Sequence, residues 1–295
     1  MLAVKRYAEL ILKILLSLGA LVYVLDRVSL DRVFATIASV NLWAVIAALV
    51  FFNLSKIVSS LRLNYFFRIL GVELGEIEAL RLYYIGMFYN LFLPGGIGGD
   101  GYKIYLLKRH RGASAKALLG VTLLDRISGL SALLFFAGIL FLLSRYSVLY
   151  SWLVPLVWLG IIAVYPVMSF FYRGKTRDVL ISTTLLGMAT QLLQLACAWC
   201  LVVALDLQGV WIETLTLFLL SSVAAVLPLS IGGIGIREFV FLYGFGELGL
   251  PVEKGVAFSM LFFLITALSS FVGVMLRHGL EVPATTGESG VSGKV

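Results

Sequence analysis

Two glycine-rich segments, one in each half of the chain, constrain the fold more than any other sequence feature. Residues 93–103 read LPGGIGGDGYK and residues 227–237 read LPLSIGGIGIR, with corresponding residues 134 positions apart (227 against 93) and no gap. The segments share six identical residues, and each ends on a cation, Lys103 in the first and Arg237 in the second. This match indicates that the chain consists of two repeats that arose by duplication.

Neither segment can continue a regular helix, because proline lacks a backbone donor and glycine weakens helical order. Both segments nevertheless lie inside long apolar runs. In hydrocarbon, non-helical backbone survives only where protein buries it or water reaches it. Two interpretations are open: a loop at the membrane surface, or a pair of re-entrant or broken helices that meet near the middle of the membrane, as in transporters.

The composition is that of an α-helical membrane protein that crosses the bilayer several times. Hydrophobic residues make up 61% of the 295 residues and charged residues only 13%. The charges separate near-continuous apolar runs of about 16–27 residues, long enough to span a bilayer, and these runs lack the alternation of a β-barrel. The net charge is +7, and the basic residues lie in short loops between the apolar runs. Their placement follows the membrane topology and does not indicate nucleic-acid binding.

We therefore predict an all-α polytopic membrane protein with six spanning helices and two re-entrant or broken helical segments in two inverted repeats. One transmembrane domain covers residues 1–278, with repeat A at 1–143 and repeat B at 144–278. The tail, 279–295, is rich in Gly, Ser and Thr and is predicted to be disordered and cytoplasmic. After an uncleaved first span that ends near Leu25, the remaining spans are predicted at 41–58, 118–143, 152–171, 179–205 and 255–276.

Residues 60–84 are interpreted as an interfacial stretch, in which Arg62 and Arg68 extend towards the lipid headgroups. Cation-rich segments place one set of loops, together with the N- and C-termini, in the cytoplasm: 59–78, 108–117 and 172–178. Neutral or acidic loops then lie outside: 26–40, 144–151, 206–213 and 247–254. The predicted location is a cell membrane, the cytoplasmic or inner membrane.

The inverted arrangement depends on the re-entrant interpretation. If both glycine-rich segments return to the side from which they started, each half crosses the membrane three times, and an odd number inverts the second half. If each segment crosses fully, the count is four per half and the repeats are parallel.

Charged side chains inside a bilayer cost roughly 2.5–3.5 kcal/mol each on insertion scales and usually mark function. Six lie within or beside the apolar runs: Asp100, Lys103, Asp125, Arg126, Arg237 and Glu238. Asp100 and Lys103 are spaced to pair on one helical face, and pairing across the repeats is predicted for Arg237 with Asp125 or Glu238 with Lys103. These charges either lock the halves together or present cations, with helix N-terminal amides, to an anionic lipid headgroup.

The predicted substrate-binding residues come from the glycine-rich segments and the nearby charges: Asn90, Pro94, Gly95, Gly98, Gly99, Asp100, Lys103, Asp125, Arg126, Pro228, Gly232, Gly233, Arg237 and Glu238. The glycine pattern lacks the order of a nucleotide-binding P-loop, and no cofactor is predicted. Cys197 and Cys200 are interpreted as buried apolar residues, because no second ligand cluster accompanies them, and no metal site is predicted. No catalytic set is recognised, so we do not expect an enzyme.

From Arg62 to Gly129 the chain resembles the integral-membrane family named after the transmembrane region of lysylphosphatidylglycerol synthase, also described as flippase-like. The motifs are LRLNYFFRILGV, NLFLPGGIGGDGYKIYLLKRHRGAS and LLDRISGL. PLSIGGIGIRE matches a later family signature, which extends the similarity over nearly all of residues 5–278. The family's usual Arg after the Gly-Gly-Asp motif is Lys103 here, which keeps the charge but loses the bidentate fork of a guanidinium.

The resemblance implies a domain that moves lipids between leaflets, or one that accompanies an enzyme making a modified lipid. The synthases add a soluble aminoacyl-transferase domain. Here the sequence ends after the last span and a 17-residue tail, so we do not expect synthase activity. Our first hypothesis is a flippase-like protein that translocates an anionic or glycosylated lipid, with phospholipid or glycolipid headgroups as its partners and downhill or ion-coupled movement.

Two alternatives remain open. The chain could be a membrane partner that scaffolds a lipid-modifying or glycosyl-transferring enzyme. It could also be an intramembrane enzyme that acts on a polyprenyl or phospholipid substrate through Asp100 or Asp125.

Overall fold

The structure is a computed structural model that describes residues 19, 21–24, 26–92, 98–172, 174–226 and 233–276, and these residues include no β-strand. The α-helices with both ends described are α1 Leu30–Ala38, α2 Leu42–Ile69, α3 Glu76–Phe92, α4 Gly98–Arg111, α5 Ala115–Leu143, α6 Tyr146–Leu149, α7 Val154–Phe171, α8 Leu180–Ala204, α9 Trp211–Val226, α10 Ile236–Glu247 and α11 Val252–Met275.

Local sequence signals set both ends of α2. At its start, the Asn41 side chain accepts hydrogen bonds from the backbone N–H groups of Trp43 and Ala44, at 3.0 and 3.3 Å, and so satisfies donors that the first turn leaves unpaired. At its end, Gly71 adopts a φ of 74°. Its N–H and that of Val72 bond back to carbonyls of the last turn, a helix termination that favours glycine.

Six stretches of the described chain are long and apolar enough to cross a membrane: Leu42–Ile69, Ala115–Leu143, Ser151–Phe171, Thr176–Ala204, Gln208–Val226 and Val252–Met275. The all-α polytopic membrane fold is confirmed. Five of these stretches match predicted spans, and the sixth contains α9, which leads into the second glycine-rich segment. Most of the first predicted span and all of the tail 279–295 lie outside the described residues.

The prediction of an interfacial stretch at 60–84 is wrong for the first part of that stretch, residues 60–69. Helix α2 runs for 28 residues without interruption, so residues 59–69 continue the span predicted at 41–58. Arg62 is only 6% exposed, because a carboxylate in the bundle interior neutralises it. Arg68, in the last turn of the helix, is half-exposed and pairs with Glu76 at the surface.

Helices α3 and α4, which lie on either side of residues 93–97, form a helical hairpin, and α4 begins within the first glycine-rich segment. At the base of this first hairpin, Arg111 Nη2 lies 3.0 Å from Glu78 Oε1. Nearer the tip, the backbones almost touch: a Cβ atom on Gly99 would lie 1.8 Å from the carbonyl oxygen of Gly86. Helices α3 and α4 therefore run antiparallel, and the chain returns to the end of the bundle from which α3 started.

Helices α9 and α10, which lie on either side of the second glycine-rich segment, form a second hairpin. Arg237 Nη1 donates to Ser222 Oγ at 3.0 Å near the tip. Further from the tip, a Cβ atom on Gly244 would lie 2.3 Å from a methyl group of Leu217. This pairing order is again antiparallel, so the helices that flank the two glycine-rich segments are arranged in the same way.

The long helices α2 and α8 pack side by side and run in opposite directions. The N–H of Asn41, before α2, donates to the carbonyl of Ala204, at the end of α8, at 3.3 Å. Midway along both helices the hydroxyls of Ser59 and Thr190 are 3.3 Å apart. Helix α3 follows the end of α2 and helix α9 follows the end of α8, so the two hairpins start at opposite ends of this pair.

Helix α7 lies at the periphery of the bundle and packs mainly against α5. Only 6% of the 18 most apolar consecutive residues in this span are buried. Ile162 and Tyr165, on the outward side of α7, are 69% and 72% exposed. An apolar helix with so much exposed surface is stable in lipid and would be a liability in water.

We expect Gly99→Ala to destabilise the protein, because the added methyl group cannot fit against the Gly86 carbonyl. Overpacking of this kind costs ~1–3 kcal/mol. Gly101→Ala, on the same helix, is the matched control, since its Cβ would meet nothing within 4 Å. Thermal unfolding in detergent should show a lower transition temperature for Gly99→Ala only. Equal transition temperatures for the two variants would contradict the close crossing of α3 and α4.

Candidate functional site

Asp100 is the centre of a charge network at the first hairpin. It is 5% exposed and lies in the first turn of α4, where the helix dipole favours a carboxylate. Lys103 Nζ lies 2.7 Å from its Oδ1, and Arg126 Nε lies 2.5 Å from its Oδ2. The predicted Asp100–Lys103 pair is confirmed. Because Arg126 belongs to α5, the network also ties the hairpin to that helix.

Lys103 is held in place by the neighbouring helix of the hairpin. Its side-chain carbons fill the space left by the missing side chain of Gly86, where a Cβ atom would approach them to 2.9 Å. Its ammonium lies 5.5 Å from the centre of the Tyr83 ring, within range of a cation–π interaction. Lys103 is 6% exposed, and its contacts fix it against Asp100.

Asp125 pairs with Arg62, at 2.8 Å between Oδ1 and Nε. Both side chains are buried, and the pair joins α5 to α2. This contact overturns the predicted pairing of Arg237 with Asp125. The alternative pairing of Glu238 with Lys103 is also wrong, because Lys103 bonds to Asp100. The sequence prediction failed because Arg62 was assigned to the membrane surface and so was not considered as a partner.

Two buried polar atoms in this region lack a hydrogen-bond partner among the described residues: Arg62 Nη1 and Gln191 Oε1. The guanidinium lies against α8, with Nη1 3.4 Å from the position of a Cβ on Gly187, one turn before Gln191. An unpaired buried polar atom costs ~1–3 kcal/mol. The layer between α2, α5 and α8 thus retains hydrogen-bonding capacity.

Glu238 has a local structural role at the second hairpin. Its Oε2 accepts from the backbone N–H of Gly235 at 2.7 Å, and its Oε1 accepts from Ser259 Oγ at 2.8 Å. The first contact caps the start of α10 and the second ties α10 to α11. Asn90 acts similarly at the first hairpin, where its Oδ1 accepts from Gly99 N at 2.9 Å. At the starts of α4 and α10, one backbone N–H group is therefore already hydrogen-bonded to a side chain.

Arg237 is directed into the bundle without a carboxylate partner among the described residues. Besides its bond to Ser222, its guanidinium carbon lies 5.2 Å from the centre of the Phe262 ring on α11. Gly233, four residues before Arg237, has a φ of 83°, and a Cβ atom built on it would lie 3.0 Å from Arg237 Nε. A glycine at this position both permits the turn and leaves room for the arginine.

Lys56, on α2, is a second such cation and was not among the predicted site residues. Its ammonium lies 4.3 Å from the centre of the Phe52 ring, and it too forms no ion pair with a described carboxylate. Phe52 meets Phe262 edge to face at 5.7 Å, so Lys56 and Arg237 flank one aromatic pair. The position of Lys56 inside the span predicted at 41–58 was the signal that could have identified it as a site residue.

We define the charged core as these cations and carboxylates together. Its members are Lys56, Arg62, Lys103, Arg126, Arg237, Asp100, Asp125 and Glu238. Five basic residues against three acidic ones leave two formal positive charges uncompensated. One of these charges lies near the first hairpin, where Arg62, Lys103 and Arg126 share the two carboxylates Asp100 and Asp125. The other lies on the Lys56 side of the core, where the one carboxylate, Glu238, bonds to a backbone amide and to a serine hydroxyl.

The other predicted site residues are only partly described. Gly98 begins α4 and is half-buried, and Gly99 forms the close crossing with α3. Pro94, Gly95, Pro228 and Gly232 lie outside the described residues. Cys197 and Cys200 are not disulfide-bonded, and within the described residues no group of three His, Cys, Asp or Glu side chains could hold a metal ion.

Comparison with known proteins gives one family. The model for the family described as lysylphosphatidylglycerol synthase TM region matches residues 10–273 of this chain. The match spans both hairpins and every residue of the charged core. No curated protein matches the sequence.

We expect Asp125→Asn to destabilise the fold strongly, since it leaves the Arg62 guanidinium buried without a counter-charge. Breaking a buried pair on one side costs ~3–5 kcal/mol. Asp178→Asn, an exposed carboxylate at the turn before α8, is the control and should leave stability unchanged. Replacing both partners, as in Arg62→Leu with Asp125→Leu, should cost less than Asp125→Asn alone. Chemical unfolding in mixed micelles measures all three, and a neutral Asp125→Asn would refute the structural role of the pair.

Proposed function

The chain belongs to the lysylphosphatidylglycerol synthase transmembrane-region family of integral membrane proteins, and from that premise we propose that it translocates an anionic lipid between the leaflets of the membrane. The headgroup would bind at Lys56 and Arg237 and pass through the bundle while the hydrocarbon chains stay in lipid. A glycosylated lipid that carries a phosphate would meet the same requirement.

The observation that carries this proposal is that Lys56 and Arg237 form no ion pair with a described carboxylate, on a side of the core that has one more positive than negative charge. A charge in the bilayer interior is costly and is retained where it serves a pathway or a ligand. Neither cation pairs with a described carboxylate, in contrast to the three cations nearest the first hairpin, which all do. A phosphate between them would supply the missing negative charge. Arg237 offers the planar fork that binds phosphate well, and Ser222 holds it in position.

The arrangement of the repeats supports movement as well as binding. We propose that the halves are inverted, as in transporters that alternate access between two sides. Shifted by 134 positions, α2 maps onto 176–203, and this range is occupied by α8 and the turn before it. These equivalent helices run antiparallel, as their contacts at Asn41–Ala204 and Ser59–Thr190 require. The same shift maps α3 onto 210–226, which matches α9.

The two hairpins then give the headgroup a route from either side. The first hairpin starts at the end of the bundle that carries the basic loop after Arg109, and the second starts at the opposite end. Their tips bring Asp100 and Arg237 towards the interior. We propose that the basic end is cytoplasmic, following the preference of cationic loops, in a cell membrane of the inner or cytoplasmic type.

Transport can be tested with the full chain in vesicles that contain headgroup-labelled phosphatidylglycerol. We expect wild type to move label between leaflets and the Lys56→Gln, Arg237→Gln double variant to be at least about tenfold slower, the effect of losing ~1.4 kcal/mol of headgroup interaction. Lys116→Gln with Arg177→Gln removes two exposed cations and is the matched control.

Two outcomes would decide against the proposal. If wild-type protein moves no more label than protein-free vesicles, translocation of this lipid class is refuted, and a scaffolding role beside a lipid-modifying enzyme is favoured. If the double variant transports at the wild-type rate, the headgroup does not use these two cations. Both variants should keep the wild-type unfolding temperature, so that a loss of rate reports on the site.

Opposite orientation of the two ends can be tested by labelling single cysteines in a background without Cys197 and Cys200. Ser114→Cys lies in the exposed loop before α5, and Val148→Cys is at a position 81% exposed at the other end of that helix. In intact cells, a membrane-impermeant maleimide should label the cysteine at 148 and leave that at 114 unmodified until the membrane is opened. The reverse pattern would place the basic loop outside.

A further inference from the structure

A large apolar groove lies beside the second hairpin, between α5, α7, α9 and α10. Its volume is about 730 Å³, within the ~300–1,000 Å³ typical of ligand pockets. Its walls are formed by Leu, Val, Ile, Phe, Ala and Gly with tyrosine and tryptophan. Of the described residues that line it, only Glu247 carries a charge. Polar ligands therefore find little to bind in it.

The groove lies within one half of the membrane thickness. On α7 its lining residues run from Leu156 to Val164, about 12 Å at 1.5 Å per residue, while the hydrocarbon core of a bilayer is ~30 Å thick. The end near the 144–151 loop carries Trp152 and Tyr146, and aromatic residues of this kind concentrate at the membrane–water boundary. The other end reaches towards the bilayer centre.

The walls at the aromatic end are fixed by hydrogen bonding. The Tyr146 hydroxyl donates to the carbonyl of Gly244 at 2.8 Å and so connects α6 to the second hairpin. Burial, together with the nearby Glu213 carboxylate, raises the pKa of Tyr146, and the phenol remains a donor at neutral pH. The groove is thus a preformed feature between the hairpin and the peripheral helix α7.

At the bilayer centre, the groove adjoins the proposed headgroup site. Val240 lines the groove and lies three residues after Arg237 on α10, one turn along the same side of the helix. Val223 lines it from α9 and directly follows Ser222, which binds the Arg237 guanidinium. The apolar groove therefore ends next to a cation that forms no ion pair with a described carboxylate, and the ligand that has both chemistries is an anionic lipid.

We propose that this groove binds one hydrocarbon chain of the translocated lipid while the anionic headgroup occupies the site formed by Lys56 and Arg237. The inference rests on the proposed function and adds to it a second recognition element, for the chain. The groove would hold the lipid against the second hairpin while the headgroup leaves the bilayer surface. A preference for anionic lipids among all those that meet the groove distinguishes such a site from unspecific contact with surrounding lipid.

The test uses the full chain in vesicles with a phosphatidylglycerol that carries a photoreactive diazirine in one acyl chain. We expect peptides from α7 and α10 that line the groove to be labelled at least about tenfold more than with the same diazirine in phosphatidylcholine. Lys56→Gln with Arg237→Gln should abolish that preference. Equal labelling by the two lipids would show surrounding lipid only and would overturn the proposal.

A groove-filling variant gives an independent readout. Gly160 lies on α7 in the groove wall, and a Cβ there would meet nothing within 4 Å, so Gly160→Phe places a ring in the groove, with Gly160→Leu as a smaller alternative. Gly120→Phe, on the exposed side of α5 with equal free space, is the control. Transport should fall about tenfold for the groove variant alone. If Gly160→Phe transports at the wild-type rate while the Lys56→Gln, Arg237→Gln variant is inactive, the binding site for the hydrocarbon chain is refuted. The headgroup site would then still stand.

Discussion

The need to satisfy backbone hydrogen bonds in hydrocarbon underlies the whole arrangement. Two segments that proline and glycine prevent from being helical can lie inside a membrane only if other groups bury them and satisfy their amides. The chain meets this need with helical hairpins. Asn90 accepts from the amide of Gly99 at the first restart and Glu238 from that of Gly235 at the second. Both residues were predicted to bind substrate, and both serve to start a helix.

Once the hairpins are inside, the charges they carry decide how the bundle is held together. Asp100 binds Lys103 within the first hairpin and Arg126 on α5, and Arg62 neutralises Asp125. These contacts join helices within repeat A, so they do not lock the two halves together as one interpretation of the sequence expected. The Lys56 side of the core differs, because its two cations meet aromatic rings and a hydroxyl. Ion pairing between helices and the proposed binding of a headgroup thus belong to different parts of one charged core.

Sequence patterns predicted what depends on local order and missed what depends on which helices become neighbours. Apolar run length located the spans that became α5, α7, α8 and α11, and proline with glycine located both hairpin tips. The Asp100–Lys103 pair followed from spacing along one helix. The partner of Asp125 could not be derived in this way, since Arg62 lies 63 residues earlier and reaches it only through the packing of α2 on α5. Treating Arg62 as interfacial also ended α2 eleven residues too early, at 58 instead of Ile69.

The central claim is that Lys56 and Arg237 hold the phosphate of a lipid inside the bundle. The most direct measurement is the position of lipid retained during gentle purification, seen by cryo-electron microscopy with the lipid identified by mass spectrometry. The account predicts an anionic lipid whose phosphate lies within ion-pair distance of both cations, with one chain directed along α10. Retained lipid that is zwitterionic and confined to the outer surface, with the space between Lys56 and Arg237 filled by protein side chains, would contradict it.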